Sequence, residues 1–223
     1  MNNQPIPTNI VAMREFMRER FPEAHAHMEP ESEPVRTGLS LLDGLGLGKG
    51  AVTEVVGTQA GIGLLIACLL ERETAVWEPT ALVDGCDAFD PWSVPPNALE
   101  RLLWLRCRET EQAVKATDLL LRDGNIPLVL LDLQLHPLRT VQGMPSSVWH
   151  RLRLLAEKSG CTLCVLTPGR AIPCARSRVM LESRFTLADQ HEEHRELAAK
   201  LRLRTDRQPQ AVLGSAPAWK AIA

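Results

Sequence analysis

The sequence lacks an excess of charge of either sign. Its 25 lysine and arginine residues and 27 aspartate and glutamate residues give a formal net charge of −2 at pH 7. A chain this close to neutral has no general attraction to nucleic acid, which requires a basic surface. Any contact with DNA would therefore depend on a local basic patch or on a partner.

Long uncharged apolar runs are also absent. No apolar stretch reaches about 18 uncharged residues, the length that spans a bilayer, and the N-terminal residues do not join a basic segment to an apolar one. We therefore expect a cytoplasmic protein without membrane contact. The 223 residues, of which 45% are hydrophobic and 23% charged, are sufficient to bury a core of ordinary size.

The sequence has little that suggests a metal centre. Its six cysteines lie mostly inside apolar segments, as reduced thiols of a protein core do. Cys161 and Cys164 form a C-x-x-C pair, but no second cysteine pair and no histidine pair accompanies them. We expect neither a metal nor another cofactor.

The rest of the chain is organised around residues 51–70, AVTEVVGTQAGIGLLIACLL. The pattern predicts a strand over 51–56, a glycine-spaced turn from Gly57 through Gly61 to Gly63, and a buried helix from Leu64 onward. Strand, glycine loop and helix form the layout of a phosphate-binding P-loop.

The chemistry of a P-loop is missing from this layout. A working P-loop, G-x-x-x-x-G-K-[S/T], supplies a lysine to the phosphates and a hydroxyl to Mg²⁺. Counting from Gly57 places Gly63 and Leu64 at those two positions, and a shift by one residue places Leu64 and Leu65 there. We interpret the stretch as the relic of a nucleotide site that remains as a turn. The alternative is an ordinary connection from strand to helix.

Further strands and helices alternate after this stretch. The apolar runs predict strands over 80–84, 102–107, 128–133 and 161–166, with helices over 109–122 and 146–159 between them. Because the strands are apolar on both faces, the pattern favours a doubly wound, mostly parallel sheet. Two half-exposed antiparallel strands are expected at 178–187 and 197–204, joined by the charged span 189–196.

Residues 1–36 and 209–223 flank the predicted core domain at 37–208. Thr8 is a suitable cap for a helix over residues 10–21, in which Ile10, Met13, Phe16 and Met17 recur at helical spacing. Prolines then predict a linker. An amphipathic helix ahead of a linker either folds back on its own domain or docks on a neighbour.

Three stretches, 37–57, 82–91 and 102–133, resemble the RecA core in its chain order. They contain TGLSLLDGLGLGKGAVTEVVG, LVDGCDAFDP, and the helix and strand that lead to LVLLDL. The resemblance spans about 37–187 and implies a RecA-like sheet flanked by helices. It also implies that Asp132 corresponds to the Walker B aspartate.

The departures from the RecA pattern concern hydrolysis. Asp84 is retained, but the catalytic glutamate two residues later is replaced by Cys86, whose thiol is a poor base for water. The polar nucleotide sensor after the fifth strand is replaced by Pro168 and Gly169, which follow Thr167. Together with the missing lysine and hydroxyl, these changes predict a protein that is not an enzyme.

A RecA-like chain of this length that lacks the residues for nucleotide binding and hydrolysis is similar to the ImuA family. That resemblance implies an accessory protein of DNA-damage-induced (SOS) mutagenesis that binds the polymerase-like ImuB, with RecA, an error-prone C-family polymerase and a second copy as further partners. One alternative is a division inhibitor similar to SulA that binds FtsZ. Another is an unorthodox ATPase in which Asp132 and Asp87 hold Mg²⁺.

Two sets of residues are candidates for contacts. The partner-binding candidates are Ile10, Met13, Phe16, Met17, Arg195, Arg202 and Arg204. The DNA-contact candidates, in the connection after the fifth strand, are Arg170, Arg176 and Arg178. Three arginines suffice for a few phosphate contacts, so we expect DNA binding to be mainly indirect.

Overall fold

The computed structural model describes residues 47–57, 59–71, 78–183 and 185–205. All of them belong to one of the two units into which the chain divides, Glu33–Ala223. The predicted helix over 10–21, the linker and the tail over 209–223 lie outside the described residues. The domain boundaries at 36 and 208 accordingly stay predictions.

The described residues form one seven-stranded sheet with the order β3-β2-β4-β5-β1-β6-β7. The strands are β1 (Val52–Gly57), β2 (Thr80–Asp84), β3 (Leu102–Arg106), β4 (Leu128–Asp132), β5 (Thr162–Thr167), β6 (Ser177–Ser183) and β7 (Leu201–Thr205). Strands β1 to β6 are parallel, and β7 pairs antiparallel with β6. The prediction of a mostly parallel α/β sheet is confirmed.

Helices cover both faces of the sheet. They are α1 (Gln59–Glu71), α2 (Pro96–Leu99), α3 (Thr110–Asp123), α4 (Leu138–Gln142), α5 (Ser146–Ser159) and α6 (His194–Ala199), with 3₁₀ turns at Pro91–Ser93 and Leu187–His191. Residues of α1, α2 and α6 pack on one face, and residues of α3, α4 and α5 on the other. No helix in the described part of the chain has the length and apolarity needed to cross a membrane.

The central strands are buried on both faces, which explains their unbroken apolar runs. In β4, Leu130 packs with the core under α1, whereas Val129 and Leu131 pack with the core under α3 and α5. Alternation of side chains across a strand sends neighbours to opposite faces. A strand covered on both sides is therefore apolar throughout.

The C-terminal part differs from the prediction in two respects. The expected antiparallel pairing of the last two strands is present between β6 and β7, but β6 also pairs parallel with β1 and so extends the main sheet. The last strand begins at Leu201 instead of residue 197, because 194–199 form helix α6. Leu197 and Ala198 of that helix pack against the core under α1, and this tertiary contact is invisible to a local alternation pattern.

Candidate functional site

The carboxyl ends of four parallel strands meet at one edge of the sheet. Asp84 of β2 is in register with Asp132 of β4, and Val56 of β1 with Thr167 of β5. The side-chain amide of Gln134, just after β4, donates to the carbonyl oxygen of Gly57 at 3.1 Å. In open α/β sheets this is the edge where ligands bind. The structure thus brings the predicted relic residues Gly57, Asp84 and Asp132 to one edge.

The connection from β1 to α1 is shorter than the sequence predicts. Strand β1 ends at Gly57 and α1 begins at Gln59, so Gly61 and Gly63 are helical residues. The predicted glycine-spaced turn over 57–63 is therefore wrong. Ile62 and Leu65 are buried in the core under this helix, and the helix continues from them back to Gln59. Amides from Gly63 onward have helical acceptors, so they are not free to surround a phosphate.

The carboxylate of Asp84 is buried and holds the segment that follows β2. Its oxygens accept hydrogen bonds from the backbone N–H groups of Ala88 and Phe89, each at 2.9 Å, and from Trp104 Nε1 at 3.2 Å. Phe89 and Trp104 also stack edge to face, with ring centroids 5.3 Å apart. Asp84 therefore shapes the turn between β2 and the 3₁₀ turn.

Asp87 is engaged by an arginine of the neighbouring strand. Both of its carboxylate oxygens bind the guanidinium of Arg106, at 2.5 and 2.7 Å, and that guanidinium lies 5.1 Å from the ring centroid of Trp104. The hydrogen bond from Arg106 lowers the pKa of Asp87. The magnesium hypothesis needs this carboxylate to face Asp132, whereas the structure pairs it with Arg106.

Asp132 and Cys86 have perturbed acidities. Burial raises the pKa of Asp132 to about 6, although the backbone N–H of Gln134 donates to its carboxylate at 2.9 Å. Burial, followed by the charges of Asp132 and Asp84, raises the pKa of the Cys86 thiol. A thiol with a raised pKa is protonated at neutral pH, so it has no basic form with which to activate water.

A groove of about 430 Å³ opens beside α1 at this edge of the sheet. We call it the carboxyl-edge groove. Its apolar lining includes Ile62, Ile66, Phe89, Leu135, Phe185 and Leu197. Its charged lining consists of Asp90, Asp132 and Asp189, and none of the lining residues that the structure describes is a lysine or arginine. Such a lining favours an apolar or cationic guest over a phosphate.

An exposed tryptophan follows Asp90 and Pro91 of the groove segment, and the sequence analysis did not identify it. Trp92 is 93% exposed, and Leu135, which lines the groove, is 43% exposed. Exposed large aromatic residues are typical anchors of protein interfaces. The signal in the sequence was a tryptophan in the polar, proline-containing segment 90–95, where no strand or long helix would bury it.

The three candidate DNA-contact arginines do not form one patch. Arg170 and Arg176 are exposed, but the backbone N–H of Arg176 binds the carbonyl of Val52, at the amino end of β1. Arg178 is only 13% exposed, and its guanidinium is bound to Glu54 at 2.5 Å. The charge of Arg178 is therefore used inside the fold, and the hypothesis that these arginines contact DNA stays a prediction.

The candidate partner-binding residues are only partly described. Arg202 and Arg204 are exposed on β7, the last strand of the sheet that the structure describes, and alternate with the more buried Leu201 and Leu203. Arginines on an edge strand also discourage sheet-to-sheet aggregation. The side chain of Arg195 and residues Ile10, Met13, Phe16 and Met17 lie outside what the structure describes.

The C-x-x-C pair is split between the two cores. Cys161 packs on the α3 and α5 side, whereas Cys164 packs on the α1 side. All six cysteines are free thiols. Within the described ranges, no group of three or more His, Cys, Asp or Glu side chains is placed to hold a metal ion.

Comparison with known proteins does not assign the chain to a family. No family model matches it, and no curated protein matches it. What the structure gives is a class of fold: a mostly parallel α/β sheet with helices on both faces and a groove at its carboxyl edge. The RecA and ImuA resemblances remain predictions from the sequence.

Proposed function

We propose that the chain is a non-catalytic, RecA-like adaptor of the ImuA type. It acts in DNA-damage-induced mutagenesis by binding the polymerase-like ImuB. One observation carries the proposal: the positions expected for a nucleotide site lie together at the carboxyl edge, yet α1 begins two residues after Gly57 and leaves no loop to surround phosphates. The strand ends of a nucleotide site are thus brought together without a phosphate-binding loop.

The charges at this edge of the sheet support the proposal that the chain does not bind nucleotide. A triphosphate placed in the carboxyl-edge groove would face Asp90 and Asp132, and the described lining offers it no cation. Like charges in a partly dehydrated groove repel, and buried phosphate requires paired charge. We therefore propose that this fold binds a protein and not a nucleotide.

The partner surface that we assign includes Trp92 and Leu135, beside the groove. Trp92 supplies a large aromatic surface that no described neighbour covers, and aromatic anchors of this kind carry much of the binding energy of interfaces. RecA and an error-prone C-family polymerase are further partners of the same assembly. DNA is reached through these partners, since the guanidinium of Arg178 is already bound to Glu54.

The proposal is tested first by calorimetric titration of the full chain with Mg-ATP. We expect no heat of binding and no release of phosphate. Micromolar binding with turnover that Asp132→Ala abolishes would overturn the adaptor proposal in favour of the ATPase.

A second experiment identifies the partner. The full chain is purified from DNA-damaged cells, and the co-purifying proteins are identified by mass spectrometry. We expect a polymerase-like protein, and we expect Trp92→Ala to reduce its recovery while leaving the yield of folded chain unchanged. Recovery of FtsZ instead, together with inhibition of its polymerisation by the purified chain, would overturn the ImuA assignment.

A further inference from the structure

The α1 side of the carboxyl-edge groove is built from small residues. Ala60, Gly63 and Ala67 all line the groove, and their spacing of three and four residues places them on one face of the helix. Gly63 is exposed, and a Cβ added to it would meet no described atom within 4 Å. The rest of the apolar lining includes larger side chains, those of Phe89, Leu135, Phe185 and Leu197. An apolar guest can therefore approach α1 closely, with larger apolar side chains beside it.

Two carboxylates of the groove have no cationic partner among the described residues. The side chains of Asp90 and Asp132 each accept one hydrogen bond, from a backbone N–H group, and form no ion pair within the described ranges. The third carboxylate, that of Asp189, is bound by Lys200 at 2.5 Å. A positive group next to Asp132 would offset the cost of ionising this carboxylate where burial disfavours its charge. The groove therefore favours a guest that combines apolar surface with positive charge.

The volume of the groove limits the size of this guest. The groove measures about 430 Å³, near the lower end of the range of about 300–1,000 Å³ that is typical of small-ligand pockets. This volume holds a few side chains, but it does not hold a whole helix. A protein that uses the groove therefore inserts a short segment into it.

We propose that the carboxyl-edge groove binds a short segment of the partner protein in which a lysine or arginine adjoins a large apolar residue. The apolar side chain packs against α1 at Gly63, and the cation pairs with Asp90 or Asp132. An acidic segment would face the same two carboxylates and be repelled. This inference rests on the proposed function in that the occupant is a protein, and it adds the chemistry of the segment that the groove selects.

Binding of defined peptides to the full chain, measured by fluorescence anisotropy, tests the inference. The probe is a labelled peptide in which leucine and arginine alternate. One matched peptide has glutamate in place of every arginine, and the other has serine in place of every leucine. We expect the leucine–arginine peptide to bind at least about tenfold more tightly than either, because only it supplies both apolar surface and positive charge. Equal affinity for the leucine–arginine and leucine–glutamate peptides would overturn the inference.

Substitution of Gly63 locates the binding site. Gly63→Arg places a long cation in the groove, where it both fills space and pairs with the free carboxylates, and it should abolish binding of the leucine–arginine peptide. The matched control Gly63→Ala adds only a methyl group and should retain binding. Both substitutions raise helix propensity, so thermal unfolding of each variant at or above the wild-type temperature excludes loss of the fold as the cause. Equal binding by the two variants would contradict the assigned site.

Neutralisation of Asp90 tests the role of charge. Asp90→Asn should weaken binding of the leucine–arginine peptide by about threefold, and asparagine can still accept the hydrogen bond from the N–H of Trp92. The matched control is Asp123→Asn, which removes the same charge from an exposed position at the end of α3, outside the groove lining. This control should leave the affinity unchanged. Equal weakening by both substitutions would show attraction by net charge alone and would overturn the inference.

Recovery of the polymerase-like partner from damaged cells separates this inference from the proposed function. If Trp92→Ala lowers the recovery and Gly63→Arg does not, the groove inference is overturned and the adaptor proposal stands. If no polymerase-like protein is recovered although the leucine–arginine peptide binds in the groove, the adaptor proposal is overturned and the chemistry assigned to the groove stands.

Discussion

The carboxylate of Glu54, in the middle of β1, is bound to the guanidinium of Arg178 on the adjacent strand β6 at 2.5 Å. The other oxygen of Glu54 accepts hydrogen bonds from Thr167 Oγ1 and from the backbone N–H groups of Ala171 and Ile172. Glu54 is fully buried. This network joins β1, β5, β6 and the connection between β5 and β6 around one buried charge.

Removal of Arg178 should therefore destabilise the fold strongly. Arg178→Ala leaves the Glu54 carboxylate buried without a counter-charge, which costs about 3–5 kcal/mol. Urea unfolding measures the loss. The exposed Arg139→Ala should change the free energy of unfolding by less than about 0.5 kcal/mol, and a similar small effect of Arg178→Ala would show that the ion pair is dispensable.

Asp132→Asn should stabilise the protein at neutral pH. Burial raises the pKa of Asp132 to about 6 in the folded chain, above its ordinary value of 3.8. The folded state therefore binds the proton more tightly than the unfolded state, and the ionised carboxylate opposes folding above pH 6. Asparagine removes this cost, about 1–3 kcal/mol, and its carbonyl can still accept from the N–H of Gln134.

The stabilisation by Asp132→Asn should depend on pH in a defined direction. The cost of the wild-type carboxylate is complete above about pH 6 and disappears as the pH falls towards 4, where both states bind the proton. Chemical unfolding at pH 7.5 and at pH 4.5 measures the difference between variant and wild type. An equal gain at both pH values would contradict the raised pKa.

Gly85→Ala and Gly63→Ala should have opposite effects. A Cβ on Gly85 would lie 2.4 Å from the backbone oxygen of Asp132 and 3.0 Å from His136 Nε2, so β2 and β4 would have to separate at their carboxyl ends. We expect a loss of about 1–3 kcal/mol. A Cβ on Gly63 meets nothing, and alanine should gain about 0.5–1 kcal/mol from helix propensity. Thermal unfolding of both variants and the wild type measures whether each substitution lowers or raises the stability.

Trp92→Ala should separate partner binding from stability. The side chain is 93% exposed, so its loss should change the free energy of unfolding by less than about 0.5 kcal/mol. As an interface anchor it should contribute at least about tenfold to the affinity for the polymerase-like partner, measured by surface plasmon resonance. Leu154, on α5 on the other side of the sheet, is an apolar side chain that is 55% exposed. The control Leu154→Ala should leave the affinity unchanged. Equal affinities for both variants would exclude Trp92 from the interface.

The sequence predicted most of the sheet because burial on both faces leaves a local signature. The run LVLLD of β4 and the run TALVD of β2 are apolar enough to be recognised without knowledge of their neighbours, and β2 has the bounds that were predicted. For the same reason, the sequence alone places Asp84 and Asp132 at the ends of their strands. That both lie at one edge then follows from parallel pairing.

Other features depended on contacts that no local pattern records. Arg170 and Arg178 together predict a basic loop. The pairing of β6 with β1, however, places Arg178 opposite Glu54, and the resulting ion pair leaves Arg178 only 13% exposed. Likewise, helix α6 occupies part of a predicted strand because its apolar side chains find the core under α1.

By itself, the sequence determined the α/β class, the order of the strands and of the three long helices as far as β5, and the absence of a P-loop lysine and hydroxyl, since these follow from local periodicity and residue chemistry. Only the tertiary structure decided that α1 begins two residues after Gly57, that Arg178 is paired with Glu54, and that an acidic and apolar groove lies beside Asp132. Those features arise where distant segments meet, and their energies come from burial and charge pairing across the sheet.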